Sequence, residues 1–236
     1  MAKRKHKHLK FKTDPRDLMV LKEPKSPVSE QYRTIRTNIT YSSIDSEIKS
    51  VLFTSATPGA GKTTTAANVA IAFAQAGKRT DLLDADLRRP TTHYTFEVQN
   101  QRGLSTAIVN DIQAEEVVKT TEVENLDLIT SGPIPPNPSE LLASNKMTQF
   151  FKVLSMQYDM VIVDSPPILA VTDAQLLSKM VHGTILVSNV ETNNRDSLLQ
   201  AKELLEKADA NMLGVVLNNK RIKDEGDSYY YYYGSE

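Results

Sequence analysis

The ten residues Ser-Ala-Thr-Pro-Gly-Ala-Gly-Lys-Thr-Thr at 55–64 constrain the fold more than any other part of this chain. They follow the apolar, β-branched run 51–54 and precede the alanine-rich, helix-like segment 66–75. This strand–loop–helix order is typical of a phosphate-binding P-loop, whose small residues and glycines let several backbone N–H groups surround a polyphosphate. The helix that follows points the positive end of its dipole at the same anion. The sequence therefore predicts that the chain binds a nucleoside triphosphate.

The polar residues of this loop have expected contacts with the nucleotide. Lys62 would place a mobile cation at the β- and γ-phosphates, and the hydroxyl of Thr63 can coordinate Mg²⁺. The loop opens with Ala56 where the strict pattern has glycine, a small change that the backbone is expected to tolerate. The alternative is a glycine-containing turn before an ordinary helix, which the preceding strand disfavours. The residues expected to bind the nucleotide are Thr57, Pro58, Gly59, Ala60, Gly61, Lys62, Thr63 and Thr64.

Composition narrows the class of protein. The 236 residues suffice for one α/β domain with a sizeable core and tails. The 28 Lys and Arg residues nearly balance 29 Asp and Glu, which argues against a general nucleic-acid-binding protein. The absence of cysteine excludes disulfides and the P-loop relatives that hold iron–sulfur clusters. The apolar stretches are too short to span a bilayer, and the basic residues 3–8 lack the apolar region of a secretory signal, so a cytoplasmic protein is expected.

Strand-like and helix-like segments alternate along the chain. Apolar runs predict strands at 50–55, 80–84, 126–130, 159–164, 183–189 and 212–218. Helical patterns lie at 61–76, 103–110, 113–119, 138–156 with a break near 144–145, 172–180 and 195–208. Continuous apolar runs are typical of strands buried on both faces, and alternation with helices implies parallel strands with right-handed crossovers. The predicted fold is α/β, a P-loop NTPase with a mostly parallel central sheet flanked by helices on both faces.

The termini differ from this central region, so we expect a basic flexible arm at 1–26, a P-loop domain at 27–220 and a flexible tyrosine-rich tail at 221–236. The first twelve residues carry six Lys or Arg and no acid. Such an arm is either solvated or weakly attracted to an anionic membrane, at about 1 kcal/mol per basic residue. Five consecutive tyrosines at 229–233 would have little to pack against. They form either a sticky low-complexity segment or a modification site.

Carboxylates at the ends of two predicted strands complete the expected site. Asp84 and Asp86 stand at i and i+2 on an extended segment, so both side chains can converge on one metal–phosphate centre. Asp164 ends another buried strand and matches a Walker B aspartate, which holds Mg²⁺. Taken alone, either acid could instead cap the turn that follows it. The proline-rich stretch 131–138 also follows a strand, so it must be an extended loop at the edge of the sheet where ligands bind.

The segment 27–44 is predicted to form a helix capped by Ser26 or Ser29. Its apolar residues share one face, and a second face carries Glu30, Arg33 and Arg36 at spacings of three. One interpretation is i,i+3 pairing on a solvated helix, worth only about 0.2–0.5 kcal/mol per pair. The other is a protein–protein contact in which the arginine forks bind carboxylates of a neighbour.

These features together resemble the bacterial tyrosine kinases of capsule and exopolysaccharide systems, in their free-standing cytoplasmic form. The likeness rests on the P-loop through Thr64, a segment at 84–90 similar to the family's second Walker A element, the Walker B acid, the Glu-x-x-Arg-x-x-Arg helix, the proline-rich loop and the terminal tyrosines. The broader relatives are MinD/ParA-type ATPases, many of which have lysine at the place of Thr57. That missing lysine and the tyrosines favour a kinase over an ATPase switch that cycles on a membrane or DNA surface. A non-catalytic ATP-binding assembly protein is a third hypothesis.

The resemblance implies an ATP-dependent protein-tyrosine kinase that uses Mg²⁺, with Lys62, Asp84 and Asp86 as catalytic residues. Asp84 would take the proton of the attacking tyrosine hydroxyl. Asp86 and Asp164 would position Mg²⁺ together with Thr63, and Asn218 would read the adenine.

The resemblance also implies partners. Glu30, Arg33 and Arg36 would assemble a homo-oligomeric ring in which each tail enters a neighbour's active site. The residues autophosphorylated in trans would be Tyr229, Tyr230, Tyr231, Tyr232 and Tyr233. The cytoplasmic segment of a transmembrane activator would switch the kinase on at the inner face of the membrane, and a tyrosine phosphatase would reset it. Other protein substrates are expected and nucleic acid is not. The kinase would thereby regulate capsular or exopolysaccharide synthesis and export.

Overall fold

The structure is a computed structural model that describes residues 16–43, 47–192 and 195–219. The tyrosines 229–233, with the whole expected tail 221–236, lie outside the described residues. So do residues 1–15 of the expected arm.

Seven strands and nine α-helices make up the described part of the chain. The strands are β1 Ser50–Ser55, β2 Thr80–Asp84, β3 Val118–Thr120, β4 Leu126–Ile129, β5 Met160–Asp164, β6 Gly183–Asn189 and β7 Met212–Asn218. The helices are α1 Met19–Lys22, α2 Pro27–Thr40, α3 Lys62–Gln75, α4 Thr92–Thr95, α5 Leu104–Asn110, α6 Pro138–Leu142, α7 Asn145–Gln157, α8 Asp173–Ser178 and α9 Arg195–Lys207.

All seven strands form one sheet in the order β3-β4-β2-β5-β1-β6-β7. Every neighbouring pair is parallel except β3 and β4, which are antiparallel. Strands β1, β2, β5 and β6 are buried along their whole length, as continuous apolar runs predict. Helices α1, α2 and α3 pack on one face, and α5 to α9 pack on the other. The predicted mostly parallel sheet with helices on both faces is confirmed.

The region around 113–119 differs from its predicted helix. Only a short 3₁₀ turn at Ala114–Glu116 is helical, and Val118–Thr120 then forms the antiparallel edge strand β3. Lys119 Nζ donates to Thr130 Oγ1 at 2.9 Å and to the Arg102 carbonyl at 2.7 Å. Pairing with β4 decides the conformation here, because the hydrogen bonds of a neighbouring strand outweigh a weak local helical pattern.

The chain before α2 packs against the domain from residue 16 onward, although the sequence suggested a flexible arm up to residue 26. Val20 on α1 is fully buried, and its backbone N–H donates to Asn68 Oδ1 at 3.1 Å. The side-chain amide of Asn68 also donates to the Asp17 carbonyl at 3.1 Å. The buried Asn68 on α3 therefore binds the backbone of this segment at two points.

Helix α2 begins as predicted, because Ser26 accepts a hydrogen bond from the Ser29 N–H at 3.2 Å and Pro27 occupies the first turn. It ends at Thr40, earlier than the expected 44, and residues 44–46 are not described. Its apolar face packs on α3 through residues such as the buried Ile39. Among the described helices, none is long and apolar enough to cross a membrane.

Candidate active site

The P-loop connects β1 to α3 at the carboxyl edge of the sheet. Gly59 and Gly61 have φ of +81° and +91°, which residues with a side chain rarely adopt. Gly61 is the N-cap of α3, and its carbonyl accepts hydrogen bonds from both the N–H and the hydroxyl of Thr65 at 2.9 Å. The loop thus turns directly into the N-terminus of a 14-residue helix, as phosphate binding requires.

Three aspartates meet the P-loop lysine at this edge. Asp84 and Asp164 are register partners on the neighbouring parallel strands β2 and β5. Lys62 Nζ lies 3.2 Å from Asp86 Oδ2 and 3.5 Å from Asp164 Oδ1. The structure therefore brings together Lys62 and the acids that the sequence placed at separate strand ends.

The loop that follows β2 folds around its own acids. Asp84 accepts the Asp86 N–H on Oδ1 at 3.2 Å and the Thr92 N–H on Oδ2 at 3.3 Å. Asp86 Oδ1 accepts the N–H groups of Arg88 at 3.4 Å and Arg89 at 3.0 Å, which leaves Oδ2 facing Lys62. Asp84 is fully buried and Asp86 is 5% exposed. Backbone hydrogen bonds therefore orient both carboxylates.

Burial and mutual repulsion raise the pKa values of Asp84 and Asp164. Burial, followed by the charges of Asp164 and Asp86, raises the pKa of Asp84 from its ordinary 3.8 to about 7. Burial also raises the pKa of Asp164, although Lys62 and the Thr63 hydroxyl oppose it. Burial alone would lower the pKa of Lys62, but the charges of Asp164, Asp86 and Asp84 together outweigh it and raise the value. The site therefore contains more buried carboxylates than cations, with three aspartates around Lys62.

The oxygen atoms at this position suit Mg²⁺. The Thr63 hydroxyl donates to Asp164 Oδ2 at 2.6 Å, and Asp86 and Asp164 both contact the Lys62 ammonium. Within the described residues, no three acidic or histidine side chains form a metal-binding group by themselves. Mg²⁺ is usually bound by one or two carboxylates and completed by substrate phosphates and waters, so Thr63, Asp86 and Asp164 fit such an ion without a protein cage.

Asn218, at the end of β7, lies against the P-loop. Its side-chain amide donates to the Ala60 carbonyl at 3.1 Å. A Cβ added to Gly61 would come within 2.0 Å of the Asn218 Nδ2 atom, so the two residues are tightly packed. Adenine recognition by Asn218 stays a prediction.

The expected assembly residues lie apart from this site, on α2. Arg33 forms an ion pair with Glu30 on the same helix. Arg36 Nη1 donates to the Ala72 carbonyl of α3 at 3.2 Å, so part of its donor capacity is used within the chain. Their role in assembly stays a prediction.

The proline-rich loop lies at the carboxyl edge, following β4 as the sequence predicted. Asn100 fixes its base, because its Oδ1 accepts the Gly132 N–H at 2.8 Å and its Nδ2 donates to the Gly132 carbonyl at 3.0 Å. Ser105 Oγ donates to the Pro133 carbonyl at 2.7 Å. These anchors come from residues to which sequence reasoning assigned no role.

Sequence reasoning also missed a network of three side chains beside the site. Arg88 binds Asp173 and Ser139, which lie 85 and 51 positions further along the chain. The sequence offered one signal, an acid at the start of a predicted helix, but such an acid is usually explained by capping.

The chain is similar to several known proteins along most of its length. Residues 48–193 match the AAA domain family. The protein CapB of Staphylococcus aureus is 47% identical over 219 residues, which are 93% of this chain and 96% of CapB. The tyrosine-protein kinase YwqD of Bacillus subtilis is 44% identical over 236 residues, covering 100% of this chain and 98% of YwqD. The crystal structure of the chimerical protein CapA2B2 superposes with a TM-score of 0.84 at 46% identity, covering 89% of this chain and 93% of the chimera.

The wider fold is shared with cell-division ATPases. The septum site-determining protein MinD of Pyrococcus horikoshii, solved with Mg-ADP, has a TM-score of 0.62 at 24% identity. The match covers 72% of this chain and 69% of MinD. At that identity the likeness concerns the fold alone.

Proposed function

The chain belongs to the family of bacterial tyrosine-protein kinases, and on this premise we propose that it transfers the γ-phosphoryl group of ATP to tyrosines, including those of its own tail. The supporting observation is the convergence of Asp84, Asp86 and Asp164 on the P-loop lysine. A P-loop alone would fit any nucleotide switch. The acids at the end of β2 add groups that can orient a visiting hydroxyl.

The residues act mainly by positioning and by charge neutralisation. The P-loop backbone and Lys62 hold the phosphates, and Asn218 is proposed to contact the adenine. Thr63, Asp86 and Asp164 would hold Mg²⁺, which when bound neutralises charge on the phosphate oxygens.

Asp84 is proposed to accept the proton of the attacking tyrosine. Its pKa, raised to about 7 by burial and by Asp164 and Asp86, makes its carboxylate a stronger proton acceptor than an ordinary aspartate. Because the Asp86 and Thr92 N–H groups hold its two oxygens, the carboxylate has a defined orientation.

Assembly would supply the substrate. We propose that Glu30, Arg33 and Arg36 join copies into a ring in which the tyrosines at 229–233 of one copy enter the next. Each phosphate adds a charge of about −1.5 to −2, so successive modifications would repel one another and loosen the ring. The cytoplasmic segment of a transmembrane activator would stimulate the kinase at the membrane, a phosphatase would reverse it, and the cycle would control capsular or exopolysaccharide synthesis and export.

Complementation tests transfer in trans. A Lys62→Met chain with its tail intact is mixed with a chain in which the tyrosines at 229–233 are phenylalanine, and both receive Mg-ATP and the activator segment. Phosphotyrosine should appear in the tail of the Lys62→Met chain, and neither variant alone should show it. Release of inorganic phosphate without phosphotyrosine would contradict the kinase and favour an ATPase switch.

Native mass tests the assembly surface separately. Replacing Glu30, Arg33 and Arg36 together with alanine should shift the native mass toward a monomer and stop transfer in trans. The matched control is alanine at Lys202 and Glu206, an exposed i,i+4 pair on α9. An unchanged mass in the α2 variant would remove this assignment.

A further inference from the structure

Arg88 forms a closed network of three side chains beside the active site. Its Nε donates to Asp173 Oδ2 at 2.8 Å, and its Nη2 donates to Asp173 Oδ1 at 3.0 Å and to Ser139 Oγ at 2.7 Å. The Ser139 hydroxyl donates in turn to Asp173 Oδ1 at 2.8 Å. Asp173 is fully buried, whereas the Arg88 side chain is 35% exposed. A two-pronged arginine–carboxylate pair of this kind is both strong and directional.

This network joins three loops at the same edge of the sheet. Arg88 lies in the loop after β2, Ser139 lies on α6 beyond the proline-rich loop after β4, and Asp173 is the first residue of α8 after β5. The strands β4, β2 and β5 are neighbours in the sheet. The guanidinium group therefore fixes the loop after β2 to both of its flanking connections.

The fixed loop is the one that orients Asp86. The N–H groups of Arg88 and Arg89 both donate to Asp86 Oδ1, and this leaves Asp86 Oδ2 directed at Lys62. Loss of the guanidinium's partners would remove one restraint on the position of these two N–H groups.

We propose that Arg88 is a positioning residue, which holds Asp86 in the orientation needed for Mg-nucleotide through its bonds to Asp173 and Ser139. The inference rests on the proposed function for the role of Asp86. Lysine cannot replace Arg88 fully, because its single ammonium cannot reproduce the planar fork that spans two partners.

The test measures how nucleotide binding depends on Mg²⁺, rather than tyrosine phosphorylation. Binding of a fluorescent ADP analogue is titrated in EDTA and then against Mg²⁺, for wild type, Arg88→Ala, Arg88→Lys and Ser139→Ala. The matched control is Arg89→Ala, because that side chain is exposed and bonds to no described residue while its N–H is retained.

Arg88→Ala should raise the half-saturating Mg²⁺ concentration roughly 10- to 100-fold, as loss of a supporting contact to a metal ligand does. Affinity for the analogue in EDTA should stay within about twofold, because the P-loop is untouched. Arg88→Lys and Ser139→Ala should show smaller increases, and Arg89→Ala none.

An unchanged Mg²⁺ dependence in the Arg88 variants would overturn the proposal, even if their melting temperatures fall, because a purely structural role predicts that pattern. Should Arg88→Ala fail to fold, Arg88→Lys and Ser139→Ala decide the question in the same way. The Mg²⁺ titration requires no phosphotyrosine. A failure of the kinase assignment would therefore appear only in the phosphorylation assay, and a failure of this proposal only in the titration.

Discussion

Replacing Asp84 with asparagine should change how the stability of the Mg²⁺-free protein depends on pH. The carboxyl group has an ordinary pKa of 3.8 and one of about 7 in the folded protein. A carboxyl group that holds its proton more tightly when folded favours the folded state at low pH. That advantage is present below about pH 4 and is lost as the pH rises to about 7. Asparagine carries no charge over this pH range, so the variant does not lose this stability as the pH rises.

The magnitude follows from the same values. A pKa difference of about 3 corresponds to roughly 4 kcal/mol, with a slope near 1.4 kcal/mol per pH unit between the two values. The variant also loses about 1–3 kcal/mol of stability at every pH, because the asparagine amide cannot accept both backbone N–H groups that Asp84 accepts. This loss opposes the stability that the variant gains over wild type at high pH. The slope, rather than the absolute stability, is therefore the diagnostic quantity.

Urea unfolding in EDTA at pH steps from 4 to 8 measures the effect. The free energy of unfolding of Asp84→Asn minus that of wild type should rise with pH and level off near pH 8. Asp111→Asn is the matched control, since Asp111 is exposed and its φ of 58° suits asparagine. Parallel curves for wild type and Asp84→Asn between pH 5 and 7 would refute the reasoning. The same variant should lose phosphoryl transfer.

Three further variants probe separate parts of the fold. Gly61→Ala places a side chain at φ +91°, so affinity for a fluorescent ADP analogue should fall at least about tenfold. Gly77→Ala is the control, because it introduces similar strain at φ +80° away from the site. An equal loss of affinity in Gly77→Ala would contradict a specific role for Gly61. Asn68→Ala removes the bond to Val20 and should cost about 1–3 kcal/mol and expose residues 16–22 to limited proteolysis; unchanged cleavage would count against that anchor. Asp81→Asn should raise the melting temperature at pH 8 but not at pH 4. Burial raises the pKa of Asp81 and its oxygens bond to no described residue, so its charged form destabilises the fold at high pH. An equal rise in melting temperature at pH 4 and pH 8 would exclude this explanation.

Local patterns predicted most of the fold. The strands β1, β2, β6 and β7 occur where apolar runs were found, and Ser144 caps α7 at the expected break. The placement of Asp84 beside Asp164 also followed from strand ends, because parallel strands present their carboxyl ends at one edge of a sheet. These features depend on neighbours in the sequence or on a general property of α/β sheets.

Contacts between separate elements explain the misses. Residues Val118–Thr120 became a strand because β4 offered an edge to pair with, and α1 became ordered because Asn68 on α3 binds its backbone. Asn68 lies 48 positions from Val20, and β3 forms only by pairing with β4, so neither segment's own residues determine its conformation. Burial and the charge of Asp164, which belongs to another strand, likewise raise the pKa of Asp84.

The sequence by itself determined the class of fold, the phosphate loop and the identity of the acids, since these depend on residue type and short spacings. Only the tertiary structure decided that a guanidinium in the loop after β2 would meet a buried carboxylate 85 positions away. That pairing depends on which strands are neighbours in the sheet, and the strand order results from the packing of the whole domain.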